Sequence, residues 1–259
     1  GIKDGLTGNL CRCTGYEQII DAALSLKGKS VTRSAERYHN PQMLAELEAC
    51  AQDSVEIAYR ESWGREFRNI RISIPATVAD AVAFKAKHEK TVVVSGGTDL
   101  SVQMNKGKVE PDTLLSLVHL RELEGVSEND DWLTIGAKAT WTDVEHAGSE
   151  SLLEFRKIIQ VFASPQIKNA GTLAGNIGNG SPIADSMPFL YVMEAEVELT
   201  GPSGSRWVNL NRFYHGYKQL ELRPDELITT LRFQLPETNE TLKLYKVSKR
   251  KDLDISNFT

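Results

Sequence analysis

Residues 92–100 read VVVSGGTDL, a short apolar run that leads directly into two glycines. Three consecutive valines are typical of a strand that is buried on both faces. At Gly96 and Gly97 the backbone N–H groups can approach a ligand with no side chain in the way. Such N–H arrays bind phosphate and similar anions. The stretch matches neither a Walker loop nor the fingerprint G-x-G-x-x-G, so it predicts either a phosphate-binding loop or a tight structural turn.

A second glycine-rich stretch, residues 169–185, reads NAGTLAGNIGNGSPIAD. Its glycines make it costly to order, whereas Leu173, Ile177 and Ile183 indicate that it packs. A long ordered loop of this kind usually wraps a ligand. A flexible surface loop is the alternative, and the shortage of Lys and Glu disfavours it. Two such loops in one chain favour a long cofactor that carries a diphosphate.

The whole chain has the composition of an ordinary globular protein, with 259 residues, 41% of them hydrophobic and 25% charged. A net charge of −5 gives no basis for binding nucleic acid or a membrane surface. No apolar run approaches the roughly 18 residues of a transmembrane helix. Three cysteines argue against a disulfide framework, so we expect a cytoplasmic protein. The start at Gly1 instead of Met predicts a piece of a longer protein.

Hydrophobic periodicity predicts a mixed α/β body that follows a polar connection at residues 27–40. The helical patterns cover residues 17–26, 43–53, 78–88, 142–147 and 152–162. The strand patterns cover residues 69–75, 91–94, 114–118, 132–136, 195–200, 205–208, 227–235 and 241–247. We expect two lobes with a boundary near the glycine-rich residues 165–188.

Two of the three cysteines, Cys11 and Cys13, form a C-x-C pair. Two thiolates this close can bind one metal centre, but they supply only half of a tetrahedral ligand set. From the spacing alone, a coincidental free pair is the default interpretation. Cys50 lies on a predicted helix among alanines and a leucine, as expected for a small hydrophobic residue.

Three motifs together resemble the molybdenum hydroxylase family. Residues 8–16 (GNLCRCTGY) resemble the end of that family's iron–sulfur domain, and residues 95–100 and 171–185 resemble its two flavin-binding loops. Residues 179–188 (NGSPIADSMP) are especially similar to the small, iron–sulfur and FAD-carrying subunit of the bacterial xanthine dehydrogenases. The motifs occur in the family's order, and each alone is less specific than the three together.

The resemblance implies an α+β fold, the two-lobed FAD-binding domain of the vanillyl-alcohol-oxidase type, preceded by a remnant of a helical 2Fe–2S domain. In this interpretation residues 1–27 are the end of the 2Fe–2S domain and residues 28–66 are a linker and lead-in. Residues 67–236 are the FAD-binding domain, and residues 237–259 begin a truncated C-terminal region.

The resemblance also implies site residues. Residues 93–100 would hold the FAD diphosphate. Thr172, Gly175 and Asn176 would form a second wall, and Asp185 would bind the adenosine side.

Other residues would lie beside the flavin. Phe162 would lie near the isoalloxazine ring, Lys246 would reach a flavin carbonyl, and residues 247–257 would form a loop beside the flavin. The 2Fe–2S ligands would be Cys11 and Cys13. The complete predicted cofactor set is Val93, Val94, Ser95, Gly96, Gly97, Thr98, Asp99, Leu100, Phe162, Thr172, Leu173, Ala174, Gly175, Asn176, Asp185, Ile228 and Lys246.

The implied function is that of an electron-transfer flavin subunit of a xanthine dehydrogenase-like oxidoreductase. Electrons from purine hydroxylation would pass from iron–sulfur clusters through FAD to NAD. The partner would be a molybdopterin-binding large subunit, in a homo-oligomer of that heterodimer, and no catalytic acid, base or nucleophile is expected in this chain. The alternatives are a non-catalytic assembly module with a vestigial flavin site, or the flavin subunit of an aldehyde or heteroaromatic hydroxylase.

Overall fold

A computed structural model describes residues 1–9, 11, 13–26, 32–63, 66–129, 131–147, 152–237 and 239–256. The description therefore leaves out residues 28–31 and 64–65 of the predicted linker and Asn257 of the predicted flavin-side loop. Within the described ranges, every helix is too short or too polar to cross a lipid bilayer.

The chain begins with four helices that precede the first strand and that we call the N-terminal arm. None of the described side chains in these helices is buried. Asn40 caps the last of them by accepting a hydrogen bond from the N–H of Met43 at 3.0 Å. The helices are α1 (Ile2–Gly5), α2 (Glu17–Leu24), α3 (Ser34–Arg37) and α4 (Pro41–Cys50).

The first lobe is built on a mixed sheet of four described strands in the order β1-β2-β4-β3. The hairpin of β1 and β2 is antiparallel, and β2, β4 and β3 run parallel. Between β2 and β3 the chain forms α5, which Thr77 caps and which buries Ala81, Val82 and Phe84. These elements are β1 (Val55–Trp63), β2 (Glu66–Ile74), α5 (Val78–Lys87), β3 (Val92–Val94), α6 (Leu100–Asn105) and β4 (Thr113–Ser116).

The second lobe is built on an antiparallel sheet of five described strands in the order β5-β6-β11-β7-β8. Side chains of the central strand β11 alternate between buried and half-buried, as period-2 patterning requires. The elements of this lobe are β5 (Val126–Asn129), β6 (Trp132–Gly136), α7 (Trp141–His146), α8 (Leu153–Phe162), α9 (Pro165–Lys168), α10 (Leu173–Asn179), α11 (Met187–Val192), β7 (Glu196–Gly201), β8 (Gly204–Asn209), β9 (Tyr214–Gly216), β10 (Gln219–Leu220) and β11 (Leu227–Gln234).

Helix α10 joins the two lobes and corrects the predicted boundary between them. The sheets change between β4 and β5, so the glycine-rich residues 165–188 do not separate the lobes. Much of that stretch is helical, despite its glycines, because Leu173 and Ile177 are fully buried in the core of the second lobe. On the same helix, Ala174 belongs to the core of the first lobe.

Other predicted elements also differ from the structure. The predicted strand at residues 241–247 is irregular, although it alternates in sequence, because it lies outside the ladder that β11 makes with β6 and β7. The predicted linker at residues 28–66 contains α4 and all of β1, which pairs with β2 along its whole length. The alternation of Val55, Ile57 and Tyr59 along β1 was available in the sequence as a signal for this strand.

We expect Phe189→Ala to destabilise the fold strongly. Phe189 in α11 stacks on Phe155 with 4.0 Å between ring centroids and meets Phe233 edge-on at 5.2 Å. Loss of this ring should lower the free energy of unfolding by about 3–5 kcal/mol in urea titrations. Val192→Ala is the matched control, because Val192 ends the same helix with 67% of its surface exposed. Equal effects of the two substitutions would contradict this packing.

Candidate functional site

The two glycine-rich stretches meet at a cavity of about 420 Å³ between the lobes. Its volume is in the range of small-molecule and cofactor sites. The first lobe contributes Lys85, Val92, Val93, Val94, Ser95, Gly96, Gly97, Thr98, Asp99, Leu100, Gln103 and Leu117. The second lobe contributes Ala137, Trp141, Phe162, Ile167, Gly171, Thr172, Ala174, Gly175, Asn176, Gly178, Asn179, Leu222, Glu226, Leu227 and Ile228.

The wall of the cavity depends on a close backbone contact between the loops. A Cβ atom at Gly96 would lie 1.7 Å from the carbonyl oxygen of Ala170, so only glycine fits. Gly97 has a φ of 67°, in the left-handed region that glycine adopts without strain. A Cβ at Gly171 would lie 3.2 Å from Oγ1 of Thr98. The loops of the two lobes are therefore in direct contact.

The first loop leaves backbone donors available to the cavity. In the described part of the chain, the N–H groups of Gly96, Gly97 and Thr98 have no protein hydrogen-bond acceptor. The three residues are only half-exposed and line the cavity. Because half-buried N–H groups need partners, this loop is suited to an anionic ligand.

The second loop is held by its connections to neighbouring elements. The Thr172 hydroxyl caps α10 by accepting from the N–H of Gly175 at 3.0 Å. The carbonyl of Gly171 accepts from the N–H of Trp141 at 3.0 Å, next to an antiparallel bridge between Thr140 and Thr172. These bonds fix where α10 begins relative to the cavity.

A serine outside the cavity orients the amide of Asn176. The Ser186 hydroxyl, which is buried, donates to Oδ1 of Asn176 at 2.6 Å. Because Oδ1 is used in this way, the Nδ2 group is the part of this cavity-lining amide that is left to donate to a ligand.

One end of the cavity is aromatic. Trp141 and Phe162 lie 4.7 Å apart between ring centroids, at an angle of 51°. Trp141 is buried, and its Cδ1 approaches Gly171 at the start of α10. Ile167 completes this end, which is suited to the face of a flat ring.

The lining also includes two buried charged groups, Lys85 and Glu226. Glu226 is 3% exposed and accepts hydrogen bonds from Arg206 Nε at 2.7 Å and Nη2 at 2.9 Å. The N–H of Arg223 adds a third hydrogen bond at 2.9 Å. The hydrogen bonds from Arg206 hold the pKa of Glu226 below its usual value.

Of the predicted cofactor residues, fourteen line the cavity and three do not. Leu173 lies outside the lining with its side chain fully buried in the core, so its role in cofactor binding stays a prediction. Asp185 and Lys246 lie outside the lining and form an ion pair with 2.6 Å between Oδ2 and Nζ. Both side chains are almost completely buried, so the pair ties the C-terminal residues to the end of the second loop.

Sequence reasoning missed Lys85 and Glu226. For Lys85 a signal exists, because positions 78, 81, 82 and 85 form one face of α5 and the first three carry Val, Ala and Val. A lysine on the apolar face of a helix is unusual, since lysine is rarely buried unless it is paired. Glu226 follows Asp225 in a polar turn, and nothing in the pattern distinguishes it from a solvated residue.

The predicted metal ligands Cys11 and Cys13 lie in the N-terminal arm, outside the cavity lining. Sγ of Cys11 accepts from the N–H of Cys13 at 3.3 Å and from the Thr14 hydroxyl at 3.8 Å. Hydrogen bonds from Cys13, and then from Thr14, lower the pKa of the Cys11 thiol to about 7. Among the described residues, no group of three His, Cys, Asp or Glu side chains is placed to hold a metal ion.

We expect Gly96→Ala to separate the two loops. The new methyl group would overlap the Ala170 carbonyl and force the backbone to move, at a cost of about 2 kcal/mol or more in urea unfolding. Gly178→Ala in α10 is the matched control, because its Cβ would meet Ile228 at an ordinary 3.7 Å and alanine favours a helix. Unchanged stability of Gly96→Ala would show that the loops do not touch.

We expect Glu226→Gln to destabilise the protein in a pH-dependent way, by about 3 kcal/mol at pH 7. The pKa of Glu226 is lower in the folded than in the unfolded chain, so its carboxylate stabilises the fold above the unfolded value of about 4.3. This contribution is lost as the pH falls through the lower folded-state pKa. In urea titrations, the difference in free energy of unfolding between wild type and Glu226→Gln should therefore become smaller below about pH 4. Glu128→Gln is the control, because Glu128 is exposed. If the free energy of unfolding lost in Glu226→Gln did not depend on pH, the Arg206–Glu226 ion pair would be refuted.

Comparisons with known proteins identify the family of this chain. The sequence model of one family, the FAD binding domain in molybdopterin dehydrogenase, matches residues 66–237. The xanthine dehydrogenase of Emericella nidulans is 26% identical over an alignment that covers 98% of this chain and 22% of that protein. The xanthine dehydrogenase FAD-binding subunit of Escherichia coli O157:H7 is 30% identical, covering 70% of this chain and 63% of the relative.

Solved structures show the same fold. The reconstituted CO dehydrogenase from Oligotropha carboxidovorans superposes with a TM-score of 0.65 and 31% identity, covering 71% of this chain and 65% of that chain. This chain spans less than two thirds of the length of each of these three proteins. The family match covers both glycine-rich loops and the cavity between them. The chain therefore belongs to the family of FAD-binding domains of molybdopterin dehydrogenases.

Proposed function

We propose that this chain binds FAD in the cavity between its lobes and serves as the electron-transfer flavin component of a xanthine dehydrogenase-like enzyme. The observation that carries the proposal is the contact of Gly96 with the Ala170 carbonyl. It brings two glycine-rich loops together over a cavity whose backbone donors have no acceptor among the described residues. The comparisons support FAD as the ligand, because the matching family is named for it.

The residues of the cavity fit FAD. The N–H groups of Gly96, Gly97 and Thr98, which no described residue accepts from, suit a diphosphate, because it carries negative charge and accepts several hydrogen bonds. Asn176 presents amide donors from the opposite wall. The aromatic end with Trp141 and Phe162 suits a flat heteroaromatic ring. FAD, when bound, supplies a ring that accepts electrons and transfers a hydride, and the protein positions and tunes that ring.

In this proposal the residues of this chain bind the cofactor and shield it from water. The two loops fix the position of the ligand, Trp141 and Phe162 exclude water from the aromatic end of the cavity, and Ile228 packs around the cofactor farther along it. The Asp185–Lys246 pair holds residues 239–256 against the second loop. We propose that Lys246 lies near a flavin carbonyl when FAD is present, and that residues 247–257 border the flavin.

The 2Fe–2S expectation does not fit the described residues on their own. Cys11 and Cys13 provide two thiolates of the four that such a cluster needs, and the described residues supply no third ligand beside them. We propose residues 1–27 as the end of a 2Fe–2S domain and residues 28–66 as its connection to the FAD-binding residues 67–236. Residues 237–259 would then begin a further part of the flavin domain.

We further propose the source of the electrons, their acceptor and the partner subunit. Electrons would come from iron–sulfur clusters of the assembled cytoplasmic enzyme, and NAD would accept them from the flavin. The partner would carry molybdopterin and hydroxylate a purine, in a homo-oligomer of the heterodimer. The lobes would correspond to those of vanillyl-alcohol-oxidase-type flavoproteins. No residue of the cavity is assigned to the hydroxylated substrate, so an aldehyde or another heteroaromatic ring is an alternative for the partner.

We expect added FAD to stabilise the purified chain. At a hundredfold excess over Kd, binding should contribute about 2.7 kcal/mol and raise the Tm by roughly 5–10 °C in thermal scans. The variant Gly96→Ala should lose this shift, because its loops are displaced, and the surface variant Val192→Ala should keep it. A Tm that does not respond to FAD in any of the three proteins would instead favour the assembly module.

The electron acceptor can be examined with the same FAD-loaded protein. Anaerobic addition of NADH should bleach the visible flavin absorbance if hydride passes between nicotinamide and flavin at this site. A flavin that stays oxidised with NADH, yet is reduced by dithionite, would refute NAD as the acceptor and leave FAD binding intact.

A further inference from the structure

We propose that Lys85 is a cofactor-binding residue that donates a hydrogen bond to the adenosine half of the dinucleotide. This inference rests on the proposed function of the cavity, and it assigns a ligand contact to a buried cation that the FAD-binding motifs do not include.

Lys85 occupies a position where an apolar residue is expected. It lies on the buried face of α5 with Ala81 and Val82, and only 7% of its surface is exposed. Burial of an ammonium group is costly unless it is compensated by partners. At this position the side chain lines the cavity between the lobes.

The described residues provide acceptors for only part of the hydrogen-bond donors of Lys85. Its Nζ donates to the carbonyl of Pro224, whereas an ammonium group has three donors. Among the described residues, no carboxylate lies within ion-pair distance of Nζ, and the nearby Glu226 is bound by Arg206. Desolvation lowers the pKa of Lys85, and the more distant Asp225 and Glu226 oppose that effect. Donors of Lys85 therefore remain for a ligand in the cavity.

The layout of the cavity indicates which half of the ligand Lys85 meets. Trp141 and Ile167, which both belong to the aromatic end of the cavity, lie beside Gly171, just before α10. The seven residues of α10 extend about 10 Å from there, and Gly178 faces Ile228 near the other end. Lys85 contacts Pro224, in the same segment as Ile228. Lys85 thus lies on the side of the cavity remote from the aromatic end.

A dinucleotide fits this layout in one direction. Its diphosphate lies in the middle of the molecule, where the two loops meet, and its flavin suits the aromatic end. The adenosine half then extends toward Lys85, Leu222 and Leu227. Adenine ring nitrogens and ribose oxygens accept hydrogen bonds, so they match a side chain that has donors only. Asp185, the residue first predicted for the adenosine side, is instead paired with Lys246.

The test compares three ligands that share parts of FAD. FAD and ADP contain the adenosine half, and FMN lacks it. Dissociation constants would be measured by flavin fluorescence for FAD and FMN and by calorimetry for ADP, on wild type and Lys85→Met. We expect the affinity for FAD and ADP to fall by roughly 10- to 100-fold, the effect of one charge-assisted hydrogen bond, and the affinity for FMN to stay within about twofold.

Two further variants separate binding from folding. Lys138→Met is the matched control, because Lys138 is also largely buried and donates to a backbone carbonyl, that of Val118, but does not line this cavity. Lys85→Gln keeps a donor for Pro224 and removes the charge, so it tests the same contact if Lys85→Met does not fold. Lys85→Gln should also lower the affinity for FAD and ADP more than the affinity for FMN.

The outcomes distinguish the inference from the proposed function. If the Lys85 variants lost equal affinity for FAD and for FMN, the role of Lys85 would be structural and the inference would be overturned. Unchanged FAD affinity in both Lys85 variants would overturn it as well, while wild-type binding would leave the proposed function standing. If wild type binds none of the three ligands, both proposals fall together.

Discussion

The close approach of Gly96 to the carbonyl of Ala170 is the constraint on which the site depends. The two residues belong to different lobes and are 74 positions apart in the sequence, and any side chain at position 96 would force them apart. Beside this contact, the valine strand leads into N–H groups that have no acceptor in the described part of the chain, and α10 begins on the opposite wall. The hydrophobic cores position the lobes, but this backbone contact sets the width of the cavity.

Two buried charged side chains, Lys85 and Glu226, line the cavity. The Arg206–Glu226 and Lys246–Asp185 pairs are compensated within the chain, through short contacts between opposite charges. Lys85 is only partly compensated, by one backbone carbonyl. Because an incompletely paired buried cation destabilises the fold, the site gives up some stability of the free protein for strength of binding. This trade-off is common where a protein is shaped around a ligand.

The sequence allowed most of the cavity wall to be predicted, because glycine, valine and threonine at fixed positions restrict the backbone locally. Residues 93–100, Phe162 and Asn176 line the cavity as expected. The burial of the Leu173 side chain could not be read from the sequence, since the side of α10 that faces the core depends on packing between the lobes. The pairing of Asp185 with Lys246 depends on how the end of the chain returns to the second loop. No local pattern encodes either of these long-range contacts.

The N-terminal arm has a consequence for how the thermodynamics of this chain should be understood. Its helices span four to ten residues, and none of their described side chains is buried. Isolated helices of this length are marginal in water, so the arm adds little to a cooperative unfolding transition. Most of the calorimetric enthalpy therefore comes from the two lobes. Divided by all 259 residues, it will fall below the usual value per residue, although the lobes are normally packed.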